Sequence, residues 1–207
     1  MFITSRARRV NPAAQRAAVA FAVEAGARAR QMLDRPIWTW MSVMSEDAGV
    51  VSWSTRTDHL QDTIDIDDTL FGDDDFADWV EANDGHFTGP FVDRVAEVIS
   101  GTPSSEPGAY VQVASGVCAN GAIAEGLSFG VEIAEVASRL SGLPTMFAAP
   151  VVGAYGSVMW ATSIPDLAAL EAGDAKLRES DEWIKLVDRA GHAFQPGVRS
   201  FLLRRLD

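Results

Sequence analysis

The 207-residue sequence is poor in most of the groups from which active sites are assembled. It has one cysteine, Cys118, so no internal disulfide can form, which agrees with a reducing compartment. It has three histidines, and hence few side chains able to exchange protons near neutral pH. Positive charge is scarce. The 17 Lys and Arg stand against 29 Asp and Glu, and a formal net charge of −12 repels a nucleic-acid backbone or an anionic membrane. No nucleic-acid or membrane partner is therefore expected. No uninterrupted apolar run is long enough to cross a bilayer, and residues 2–6 alternate as Phe-Ile-Thr-Ser-Arg instead of forming a signal-peptide core. The expected location is cytoplasmic. P-loop, Rossmann and Cys/His metal signatures are all missing, so no metal site is expected.

What is present is a repeat. Val51-Ser52-Trp53-Ser54-Thr55 returns as Val158-Met159-Trp160-Ala161-Thr162, with Val, Trp and Thr in the same places. Upstream, Phe21-Ala22-Val23-Glu24 returns as Phe129-Gly130-Val131-Glu132 and Pro36 as Pro144, at one spacing (129 − 21 = 144 − 36 = 108). Downstream, Leu60 returns as Leu167, Asp74-Asp75-Phe76 as Asp181-Glu182-Trp183, and Gly85-His86 as Gly191-His192. The chain therefore divides into a first repeat over 1–104, a linker over 105–108 inside a small, Pro-rich stretch, and a second repeat over 109–207. With 47% hydrophobic residues, it can bury a sizeable core.

Within the first repeat, residues 2–9 read as a strand, and Asn11-Pro12 as a helix cap and first helical residue. Ala13 to Leu33 carries apolar side chains at helical spacing. Ile37–Met44 and Val50–Thr57 form a hairpin rich in Trp, Val and Thr. His59 to Gly85 is a helical region broken near Gly72, and Phe91–Ile99 a last strand. The acidic side chains of that helical region are expected to form a solvated face paired with Arg16, Arg28 and Arg30 on the first helix. The order strand, helix, strand, strand, helix, strand is the split βαβ arrangement, and the second repeat follows it. The bare sheet face of each repeat needs an apolar cover, which the other repeat can supply.

The duplicated pattern, with a Trp in each third strand and a Gly-His ahead of each last strand, resembles the dimeric α+β barrel superfamily in tandem, single-chain form. The resemblance implies an α+β fold of two ferredoxin-like βαββαβ repeats packed sheet to sheet as a pseudo-dimeric barrel. It also implies a small-molecule ligand, and an enzyme acting on an aromatic or polyketide-like substrate as a cofactor-free monooxygenase, cyclase or isomerase. The alternatives it leaves are a non-catalytic ligand-binding or scaffolding barrel and a haem-binding protein; no cofactor is otherwise expected. Because a tandem chain can complete such a barrel internally, monomer or homodimer is expected.

Candidate site residues follow from strand alternation. If the small set Ile3, Ser5 and Ala7 packs on helices, then Thr4, Arg6, Tyr110 and Gln112 face a cavity. There Arg6 or Tyr110 could hold an enolate or phenolate oxygen. The competing reading pairs Arg6 and Arg8 with the many Asp residues. Trp38, Trp40, Trp53 and Trp160 would line an aromatic site, although core packing would equally preserve Trp53 and Trp160 in both repeats. His86 and His192 occupy equivalent places after a Gly at a helix end, which suits a structural cap with the Gly left-handed. His59 has no counterpart and is the candidate base or haem contact, against the competing reading of a solvent-exposed residue at a helix start.

Overall fold

The computed structural model describes residues 1–207. The first half runs β1 (Phe2–Val10), α1 (Gln15–Leu33), β2 (Trp38–Val43), β3 (Val50–Thr57), α2 (Gln61–Phe71), α3 (Asp74–Ala82) and β4 (Phe87–Ser100). The same order then recurs as β5 (Tyr110–Val117), α4 (Ile123–Ser141), β6 (Thr145–Pro150), β7 (Ser157–Ile164), α5 (Leu167–Glu179), α6 (Asp181–Ala190) and β8 (Arg199–Arg205). The strands hydrogen-bond in the order β1-β3-β2-β8-β5-β7-β6-β4, a closed barrel. The fold is thus α+β with antiparallel strand pairs, as the repeat predicts. Two compact units comprise Met1–Val95 with Arg205–Asp207, and Ala96–Arg204.

In the first unit β3 lies between β1 and β2, and α1 covers one face of these strands. Asn11 caps as expected, its Oδ1 accepting from the Ala13 amide, but the cap serves a short 3-10 turn at Pro12–Ala14 that feeds α1. The helix ends at Asp34 with a left-handed φ of 46°. The break near Gly72 is real: Asp73 starts α3 by accepting from the Phe76 amide at 2.8 Å. β4 begins earlier than the sequence suggests because buried Phe87 packs edge-on against Phe21 and Trp53, extending the strand back into the core.

The second unit packs α4 against β6 and β7. Its core joins Phe147, Val158, Trp160, Ala134 and Cys118. Gly130 is required there: a Cβ at that position would overlap the Phe147 ring, so the absence of a side chain on α4 makes room for the aromatic on β6. Cys118 is buried at the end of β5 and bridges Phe194, and burial pushes its thiol pKa up.

Two expectations need correction. Gly191 has φ −56° and Gly85 is not left-handed either, so neither Gly-His pair is a left-handed cap; His86 and His192 instead sit in 3-10 turns. The acidic second helix is not paired with arginines of α1. Arg28 bonds Glu24 one turn back on its own helix and stacks over Trp79 at 4.0 Å, while Arg30 pairs with Asp207. It is a strand residue, Arg6, that Asp67 of α2 meets.

Candidate functional site

The register of β1, β3 and β2 sorts the predicted residues onto two faces. Residues directly opposite in an antiparallel ladder share a face. One face carries the rows Arg6–Trp53–Thr39 and Arg8–Val51–Met41, with Thr4 opposite Thr55. The other carries Ser5–Ser54–Trp38 and Ala7–Ser52–Trp40, with Ile3 opposite Arg56. Trp53 identifies the first as the helix face, because its indole N–H donates to the Ala22 carbonyl of α1 at 2.8 Å.

The alternation was therefore expected the wrong way round. Thr4 meets Thr63 of α2 at 2.9 Å. The Arg6 guanidinium bonds Asp93 at 2.7 and 2.8 Å and Asp67 at 2.7 Å, and lies over Phe71 and Phe91 at 5.3 Å each. Hydrogen bonding to Asp93, set against desolvation and helped by Asp67, raises the Arg6 pKa. A guanidinium held by two carboxylates has its charge neutralised locally and is poorly placed to receive a substrate oxyanion. Arg8 likewise pairs with Asp84 at 2.6 Å. The physical reason for the reversal is that α2 and β4 bring aspartates to this face, so long polar side chains can lie beneath helices.

The second unit repeats the sorting. Trp160 donates its indole N–H to the Gly130 carbonyl of α4 at 2.9 Å, the counterpart of the Trp53 bond. Tyr110 and Gln112 lie opposite Ile164 and Thr162, four and two residues from Trp160 on the same strand, and share its helix face. Trp53 and Trp160 thus serve the core, and neither they nor Thr4, Arg6, Tyr110 and Gln112 lie on the helix-free face. His59 lies on neither: it is exposed in the turn before α2, where its amide and that of Asp58 donate to Asp62 at 3.0 Å. The His59 amide bond is the main cause holding the Asp62 carboxyl below its usual range.

Of the predicted residues, only Trp38 and Trp40 are on the helix-free face, 8% and 4% exposed. Three serines and an arginine that sequence reasoning did not select join them. The Trp40 indole N–H donates to Ser54 Oγ at 2.8 Å, and the Arg56 guanidinium lies 4.9 Å from the Trp38 ring. Burial lowers the Arg56 pKa. The corresponding face of the second unit has Met146 for Trp38, Ala148 for Trp40, Met159 for Ser52, Ala161 for Ser54 and Ser163 for Arg56. The helix-packed Trp is kept in both units, whereas the opposite face carries two tryptophans and an arginine in one and neither in the other, where Ser115 and Ser163 are its polar residues among Val, Met and Ala. That contrast was a usable signal: Ser52 and Ser54 flank Trp53 in the very motif that reveals the repeat, and Arg56 follows that motif directly.

Haem does not fit this face. All three histidines lie outside the strands, His59 in a turn, His86 edge-on to Phe21, and His192 bonded to Glu125 at 2.9 Å on an exposed surface. None can offer a ligand beside Trp38 and Trp40.

No protein-family description matches the sequence, and no curated protein does. Solved structures do match. A provisionally assigned monooxygenase from Fusobacterium nucleatum subsp. nucleatum ATCC 25586 superposes with a TM-score of 0.70 at 8% identity, covering 100% of this chain and 92% of that one. An anthrone oxidase-like protein gives 0.66 at 12% identity, covering 99% and 90%. A provisionally assigned chlorite dismutase gives 0.57 at 14% identity, covering 100% and 95%. At such identities the likeness is one of fold: this chain has the dimeric α+β barrel fold in a single chain.

Proposed function

We propose that the protein binds a planar aromatic or polyketide-like small molecule on the helix-free face of its first unit and oxygenates it without a cofactor. The observation that carries this is the divergence of that face between units. Packing explains a Trp kept twice; it does not explain why one face alone has two tryptophans and a half-buried guanidinium, with serines at three places that are Val, Met and Ala in the other unit. Chain duplication supplies the reason such divergence is tolerated, since the second unit can keep the fold while the first acquires a site.

The chemistry assigned to these groups is modest. Trp38 and Trp40 pack on the faces or edges of the ring system. Arg56, half-buried and beside Trp38, stabilises negative charge that develops on a substrate oxygen as an enolate or phenolate. No carboxylate or histidine occupies the three rows of this face, so the proton leaves to water, and the substrate must supply its own acidity. Dioxygen then adds at the activated ring carbon, and loss of water leaves a carbonyl: ring CH2 plus O2 gives ring C=O plus H2O. The anthrone oxidase-like neighbour and the monooxygenase-like one support this choice over cyclisation or isomerisation.

Incubation with anthrone under oxygen tests it, followed by quinone absorbance. Turnover above the spontaneous rate, lost in Trp38→Ala and Arg56→Ala and kept in Trp53→Phe, is expected. No enzymatic excess over background refutes the oxygenase reading. A second reading, a ligand-binding or scaffolding protein without catalysis, draws on the near-complete burial of Trp40, which suits a packing plug. It is supported if anthraquinones bind without turnover or do not bind at all.

A further inference from the structure

Ser54 occupies the middle of the helix-free face, flanked in its row by Ser5 on β1 and Trp38 on β2, with Ser52 two residues along the same strand. A serine hydroxyl has one hydrogen to donate and two lone pairs to accept with. The Ser54 oxygen accepts from Trp40 Nε1 at 2.8 Å, and that is its one protein hydrogen bond. Its own hydrogen is therefore directed to no protein acceptor, and the accepted bond polarises it as a donor. Neither Ser5 nor Ser52 has a protein partner for its hydroxyl. Ser52 is buried and Ser5 and Ser54 half-buried as residues, but the Ser5 and Ser52 oxygens are not themselves fully enclosed, so each hydroxyl stays within reach of a ligand. In the second unit the places of Ser5, Ser52 and Ser54 fall to Val113, Met159 and Ala161, so the fold itself does not require hydroxyls there.

We propose that Ser5, Ser52 and Ser54 form a ladder of hydroxyl donors, oriented from Trp40 through Ser54, that reads acceptor oxygens along one edge of the aromatic ligand. The proposal rests on the functional reading above and deepens it: the ligand is an oxygen-edged polycycle, carrying carbonyl or phenolate oxygens, and not a bare hydrocarbon ring. Cross-strand neighbours have Cβ atoms about 5 Å apart and alternate residues of one strand are about 7 Å apart. The three donors thus span roughly the long edge of a fused ring system. Trp40 acts as a positioning residue: its indole fixes the acceptor side of Ser54 and so leaves the donor side for the ligand.

The test uses two probes, 1,8-dihydroxyanthraquinone and 9,10-dimethylanthracene, titrated into the full chain by tryptophan fluorescence quenching. For the quinone, Ser54→Ala is expected to weaken binding about tenfold and Ser54→Thr, which keeps the hydroxyl, to restore it. Ser5→Ala and Ser52→Ala should each cost several-fold, and Trp40→Phe should weaken the quinone through Ser54. The hydrocarbon should bind with similar affinity to wild type and Ser54→Ala. The indole N–H resonance of Trp40 in nitrogen-15 spectra should shift in Ser54→Ala and return in Ser54→Thr, which separates positioning from general destabilisation. If both probes bind and Ser54→Ala weakens them equally or not at all, the hydroxyl ladder is wrong while the aromatic site stands. If neither probe binds wild-type protein, the functional reading fails and takes the ladder with it.

Discussion

Arg6 and Trp53 stand directly opposite one another in β1 and β3, on one face of the sheet, and both point at helices. The pairing separates residues that pack against helices from residues of the helix-free face. Arg6 closes a junction between β1, α2 and β4, and Trp53 ties β3 to α1. The residues between them along each strand, Ser5 and Ser54 among them, project the other way.

Removing the Arg6 guanidinium leaves Asp67 and Asp93 close together with no cation between them. Arg6→Ala should lower the free energy of unfolding by about 1–3 kcal/mol. In urea denaturation, adding Asp93→Ala should recover part of the loss. Binding to the Trp38 face should survive, since Arg6 lies on the opposite one.

Trp53→Phe and Trp160→Phe each delete an indole N–H bonded to a helix carbonyl, of Ala22 and Gly130 respectively. Each should cost about 1–3 kcal/mol through the lost hydrogen bond and the smaller ring, while each carbonyl, lying inside α1 or α4, keeps its helical partner. Neither should affect ligand affinity, and calorimetry beside fluorescence titration separates the two effects.

Gly130→Ala should destabilise by about 1–3 kcal/mol, because the new methyl overlaps the Phe147 ring in a fully packed core. Combining it with Phe147→Leu should recover stability relative to the single glycine variant. A neutral Gly130→Ala melting curve would contradict the packing described here.

Asp62 gives a pH signature. Its carboxyl sits below the ordinary value of 3.8, chiefly through the bond from the His59 amide. A depressed pKa stabilises the fold above the unfolded value, and the contribution fades as pH falls through the folded one. Asp62→Ala should thus melt below wild type at neutral pH, with the gap closing as pH falls below about 4. His59→Ala should leave both ligand affinity and any oxygenase turnover unchanged, as its ring is exposed and lies off the sheet face.

The fold was readable because its signals are local and occur twice. Phe21-Ala22-Val23-Glu24 and its copy lie on helices, the Trp53 and Trp160 motifs on hairpin strands, and each sets its element by period and composition before any long-range contact forms. The site was harder to read. Size and polarity suggested that Ile3, Ser5 and Ala7 pack inside and that Thr4 and Arg6 line a cavity, but alternation gives two sets without saying which set faces which way. The deciding groups, Asp93 and Asp67, are 87 and 61 residues from Arg6.

The sequence by itself determined the repeated βαββαβ order, the scarcity of acid–base groups and the Trp that each unit keeps for its core. Periodicity and duplication are written along the chain, and no distant partner is needed to express them. Only the tertiary structure decided which edge of each strand meets helices, placing Trp40 beside Ser54 and Arg56 beside Trp38 while enclosing Arg6 between aspartates. Strand pairing fixes facing, and pairing is settled by residues far apart in the chain.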